Sequence, residues 1–172
     1  LIVNPTTGYA LDTDFKLEAD QWETVEENYP LDFNYFYVVP DATNTQIRLG
    51  RGMSTETMLP AGDAAAGYIL DVGVRVSDVH QTSVNSMARV TVRFASPTTD
   101  IRGLIEGGLQ KVDDLLERKN HIEALGLVGS ISQTLNQAAD VCVGDVKAEC
   151  ISGDECCDRK ELKLRLFSKL QQ

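Results

Sequence analysis

Apolar side chains recur at every second position up to about Ser96 and at every third or fourth position after it, and this switch constrains the fold more than any other feature of the chain. In "LDTDFKLEA", Leu11, Thr13, Phe15, Leu17 and Ala19 alternate with Asp12, Asp14, Lys16 and Glu18, as in a strand with one buried face. "LDFNYFYVV" sets Leu31, Phe33, Tyr35 and Tyr37 on one face, and its other face, Phe36 and Val38, is also apolar, as expected of a more central strand. "GYILDVGVRVSD" aligns Tyr68, Leu70, Val72, Val74 and Val76, and "SMARVTVRF" aligns Ala88, Val90, Val92 and Phe94. With "LIV", "TQIRLG" and "TETML", this makes about seven strands separated by Gly, Pro, Asp and Asn turns, the pattern of an antiparallel Ig/fibronectin-III-like β-sandwich. Its expected core is Leu11, Phe15, Leu17, Trp22, Phe33, Tyr35, Leu70, Val72, Val74, Val90 and Val92. Trp22 is expected to cap the core between the sheets, and the acidic stretch after it to connect them at the sandwich edge.

Beyond "SPTTD" the spacing predicts helices. Ile101, Leu104, Ile105, Val112, Leu115 and Leu116 share a stripe, with Thr99 or Asp100 as N-cap and Gly107 and Gly108 weakening the middle. A second stripe runs Ile122, Leu125, Val128, Ile131, Leu135, opened by Asn120 and Glu123 at capping-box spacing. The short loop between them predicts an antiparallel pair, packed on the sandwich or on a domain outside the sequence. "DRKELKLRLFSKLQQ" aligns Leu162, Leu166 and Leu170 as a third helix. The expected class is therefore α+β by segment: a sandwich over 1–96, then a helical segment over 97–172 containing a Cys-rich loop at 142–157.

Charge narrows the partners. Residues 1–96 carry 6 basic and 13 acidic side chains, a balance of −7, within a chain of formal charge −10. Such a field repels phosphate backbones and excludes nucleic acid as a partner. No cofactor is expected. Weak Ca2+ binding by the acidic half is the one alternative, but no EF-hand loop is present and "DATN" at 41–44 reads more simply as a polar turn. No run of about 18 apolar residues is present, so no membrane span is expected.

Cys142, Cys150, Cys156 and Cys157 crowd into one stretch, which suggests local disulfides and an oxidising compartment. Adjacent Cys156 and Cys157, with Cα atoms about 3.8 Å apart, fit separate pairing with Cys142 and Cys150 in either arrangement. Zinc-type C-x2–4-C pairs do not match these gaps. Neither His80, in a turn, nor His121, in a first helical turn, belongs to a nucleophile motif, and no catalytic or metal-ligating set emerges. The paired carboxylates Asp113 and Asp114, or Glu26 and Glu27, read as solvated charge without a concave apolar site. No pocket is expected.

The order of features in the first 40 residues adds a family. "NPTTGYALDTDFKLEADQW" followed by "YPLDFNYFYV" resembles the receptor-for-egg-jelly (REJ) region of polycystin-like proteins. The matching positions are Pro5, Gly8, Ala10, Leu11, Thr13, Phe15, Trp22, Pro30, Leu31, Tyr35 and Tyr37. "VRVSD" and "VTVRF" look like the last strands of that sandwich, and "IEALGLVGSISQTLN" is similar to the helical stretch leading toward a GAIN-like region. The resemblance spans roughly residues 4–136 and departs at the Cys-rich stretch. It implies a large, often ciliary or flagellar, cell-surface protein whose ectodomain contacts neighbouring domains, channel or matrix subunits, or glycans. A non-catalytic spacer and interaction surface is the function expected; a structural subunit of an extracellular filament or adhesion assembly is the rival.

Overall fold

The computed structural model describes residues 1–39, 46–94 and 101–141. Eight strands precede two helices: β1 Ile2–Asn4, β2 Thr7–Tyr9, β3 Asp14–Glu18, β4 Asp32–Val38, β5 Gln46–Arg51, β6 Ser54–Met58, β7 Ile69–Ser77, β8 Ser83–Arg93, α1 Ile101–Glu117 and α2 His121–Val141. They form a three-stranded sheet, β1-β3-β6, and a five-stranded sheet, β2-β8-β7-β4-β5. The extra strand, β2, arises because the chain crosses from one sheet to the other at Pro5, so β1 pairs with β3 and β2 with β8. The β2–β8 pair is parallel, which corrects the expectation of a wholly antiparallel sandwich.

The alternating pattern places one core between the sheets. Val3, Phe15 and Leu17 from the smaller sheet meet Phe33, Tyr35, Tyr37, Leu49, Leu70, Val72, Val74, Val76, Val90 and Val92 from the larger. Trp22 is partly buried and packs against this cluster. A bulge between Tyr35 and Phe36 gives β5 one extra residue, Leu49, whose side chain still reaches the core.

Leu11 corrects the predicted core. Only Asp14–Glu18 of "LDTDFKLEA" is strand, and Leu11 adopts a left-handed backbone, φ 56°. Its side chain leaves the sandwich and joins Ile105, Leu109, Val112, Ala124, Leu127, Val128, Ile131 and Leu135 between the helices. For a residue with a Cβ this conformation costs about 1–2 kcal/mol. Burying a leucine contributes about 1.5–3 kcal/mol, so burial outweighs the strain.

The helices form the expected pair, with a shifted contact face. Ile105, Val112, Val128, Ile131 and Leu135 are buried as predicted, with Leu115 partly buried against them. Leu104 and Ile122 are only partly buried, and Leu125 is 58% exposed, which removes it from the predicted stripe. Ile101 opens α1, but its side chain lies outside the described residues, as do the proposed N-caps Thr99 and Asp100. The cause of the shift is that α2 has two neighbours. One side meets α1, and Gly126 and Gly129 turn the other toward β5. Leu125 is left facing solvent.

That contact decides between the two docking expectations: the helices pack on the sandwich. β5 and β6 are the edge strands on one side of the two sheets, and α2 touches both. Covering an edge with a helix removes unpaired backbone groups from solvent and blocks edge-to-edge aggregation. The polar turn at 41–44, the four cysteines and the expected third helix all lie outside the described residues.

Candidate functional site

A groove of about 380 Å³ runs along the seam between the three-stranded sheet and the helix pair, which corrects the expectation that no pocket exists. Asp14, Glu56, Lys111, Asp114, Arg118 and Glu123 line it, over Met58, Leu115 and Leu127. The strand period puts Asp14, Glu56 and Met58 on the outer face of their sheet, and the helical period brings Lys111, Asp114, Leu115 and Arg118 down to meet them.

The polar contacts here join the two halves. Lys111 donates to Asp14, with both side chains 42% exposed, so the pair contributes at most about 1 kcal/mol. Thr55 donates to Glu123 at 3.4 Å, which turns the predicted capping-box glutamate toward the sheet. Gln137 donates to the Ala61 carbonyl at 2.8 Å. Alternating charge over a thin apolar floor suits a structural seam, and among the described residues no group of three or more His, Cys, Asp or Glu is arranged to hold a metal.

The histidines stand elsewhere. Asp78 accepts from the backbone N–H groups of His80 (2.9 Å) and Thr82 (2.8 Å), which fixes the β7–β8 turn as an Asx-type turn. His121 is exposed at the start of α2. Neither lines the groove.

Two buried tyrosines complete the framework, in opposite ways. Tyr35 donates to the Met53 carbonyl at 2.6 Å and accepts from the Ala19 N–H at 2.8 Å, tying β4 to the ends of both neighbouring loops. Burial raises its pKa, partly offset by the Ala19 hydrogen bond. Tyr37 points toward α2, with its hydroxyl making no hydrogen bond of ordinary geometry. Burial pushes that phenol far up, and the neighbouring Ser130 hydroxyl lowers it only in part.

The glycines of α2 were the junction residues that sequence reading missed. A Cβ on Gly126 would lie 2.9 Å from the Leu49 Cα, and one on Gly129 would lie 2.8 Å from Ile47 Cγ2. Ser130 and Thr134 continue this face and satisfy their hydroxyls within the helix, donating to the carbonyls of Gly126 (3.3 Å) and Ser130 (2.9 Å). The available signal was the G-x-x-G spacing in "GLVG", which marks close backbone approach rather than a weak helix.

The model of a family described as the REJ domain matches residues 1–129, a stretch that takes in the sandwich, α1 and the part of α2 carrying both glycines. No curated protein matches the chain.

Proposed function

The chain belongs to the REJ domain family, and on that premise we propose that it is a non-catalytic extracellular module of a polycystin-like cell-surface protein. In this reading it holds neighbouring domains at a fixed distance and presents a surface to protein or glycan partners. The observation that carries the spacer role is the contact of Gly126 and Gly129 with β5. It fastens the helices to the sandwich edge, so position or force applied at one end passes to the other through a packed interior. No helix among the described residues is long and apolar enough to cross a membrane. The four cysteines form disulfides in this reading, and no cofactor is needed.

Antibody staining of intact cells expressing the parent protein tests the location. Labelling without permeabilisation is expected; labelling only after permeabilisation would contradict an extracellular module. Thiol titration of the same protein should find no free cysteine until a reductant is added.

A further inference from the structure

All five arginines of residues 1–96 stand on one surface, the outer face of the five-stranded sheet. Val72, Val74, Val90 and Val92 point into the core, so their strand neighbours Arg75, Arg89 and Arg93 point out. Arg48 and Arg51 join them through the β4–β5 register, paired with the outward Phe36 and Asn34. Among the described residues of these strands, only Asp32 and Asp71 put carboxylates on this face, and Asp71 is paired with Arg89 at 3.2 Å. A chain of formal charge −10 therefore carries one positive side.

The face is ordered as well as charged. Arg75 donates to Asn85 (3.1 Å) and Gln46 (3.3 Å), and Arg51 to Asn34 (3.3 Å), so the guanidinium groups are held across the strands. At its centre Gly73 has no side chain, and Phe36 and Met87 close over it: a Cβ there would lie 2.6 Å from both Phe36 Cζ and Met87 Sδ. Met87 remains 49% exposed. An apolar centre ringed by Arg, without Lys, has the composition of a protein-docking surface rather than of a polyanion track.

The same molecule offers a complement. Asp20, Glu23, Glu26 and Glu27 line the β3–β4 connection at one end of the sandwich with no basic residue among them, while Glu18, at the end of β3, is paired with Lys16 at 2.9 Å. Val25, 61% exposed, and Tyr29, 49% exposed, project from this acidic ground. We infer that the arginine face docks the β3–β4 end of a second copy of the chain, head to side. Net charge does not forbid it: at physiological salt the screening length is about 8 Å, so facing patches outweigh the distant remainder. The two surfaces differ, so the contact is heterologous and builds open chains of copies rather than a closed dimer. The inference rests on the sheet's geometry and holds wherever the protein resides.

Sedimentation velocity of the full chain over a concentration series tests it, at about 50 mM and about 500 mM salt. The expected result is concentration-dependent association at low salt that fades at high salt. Each double reversal, Arg75→Glu with Arg89→Glu or Glu26→Arg with Glu27→Arg, weakens it at least about tenfold. All four side chains are exposed, so the variants should keep the wild-type circular dichroism. Mixing the two variants should restore association, because each supplies what the other lacks. A monomer at every concentration overturns the inference. So does association that survives either reversal, or that fails to return on mixing.

Discussion

Gly126 of α2 meets the backbone of Arg48 so closely that a Cβ on the glycine would lie 2.6 Å from the arginine's carbonyl oxygen. Helix and edge strand are therefore in backbone contact, and the two segments separated by the change of period form one packed unit.

The same substitution at two helical glycines should have opposite signs. Gly126→Ala gains helix propensity of about 1 kcal/mol but forces a methyl group into backbone, at an overpacking cost of about 1–3 kcal/mol. Net destabilisation is expected. Gly107 in α1 is exposed and has nothing within 4 Å of an added Cβ, so Gly107→Ala should stabilise. The gain should be about 0.5–1 kcal/mol. Urea midpoints of the two variants check the pair.

Leu11→Ala removes, among the described residues, the one residue preceding the helices that is fully buried in the helical cluster. A loss of about 2–5 kcal/mol is expected. Hydrogen exchange should show where it falls: amides of α1 and α2 should lose protection first, with those of β7 and β8 affected least.

Tyr35→Phe and Tyr37→Phe should differ despite equal burial. Removing the Tyr35 hydroxyl strands the Ala19 N–H and Met53 carbonyl, costing about 1–3 kcal/mol. The Tyr37 hydroxyl leaves behind no partner with ordinary hydrogen-bond geometry, so its removal should be neutral or stabilising near neutral pH.

Both phenols have folded-state pKa values raised above the ordinary 10.0. Their neutral forms are favoured by folding, so the native state holds protons that the unfolded chain releases. Stability should be independent of these groups below pH 10 and fall as pH rises beyond it. Tyr37→Phe should make that alkaline decline shallower, measured by urea unfolding across the range.

The inward face of most strands was legible because a two-residue period with a buried face fixes which side of each strand is core. Phe15, Leu17, Tyr35, Val72 and Val90 followed that rule. Leu11 did not, because a left-handed turn redirected its side chain, and backbone sign is invisible to alternation. Leu125 failed for a different reason: its helix has two partners, and an apolar stripe announces only one. Gly126 and Gly129 were the missing signal, because their spacing marks proximity to β5. The arginine face was hidden because its members come from three strands, β5, β7 and β8, whose register only the fold reveals.

The account depends most on the sandwich and the helices behaving as one cooperative body. Trp22 is the sole tryptophan and packs on the sandwich core, while ellipticity at the helical wavelength reports helix, which among the described residues is mainly α1 and α2. Urea unfolding of the intact chain, followed by both signals on one sample, is the most direct measurement. Superimposable curves with a single midpoint are predicted. Loss of helical signal at lower urea, with the tryptophan emission still native, would contradict it.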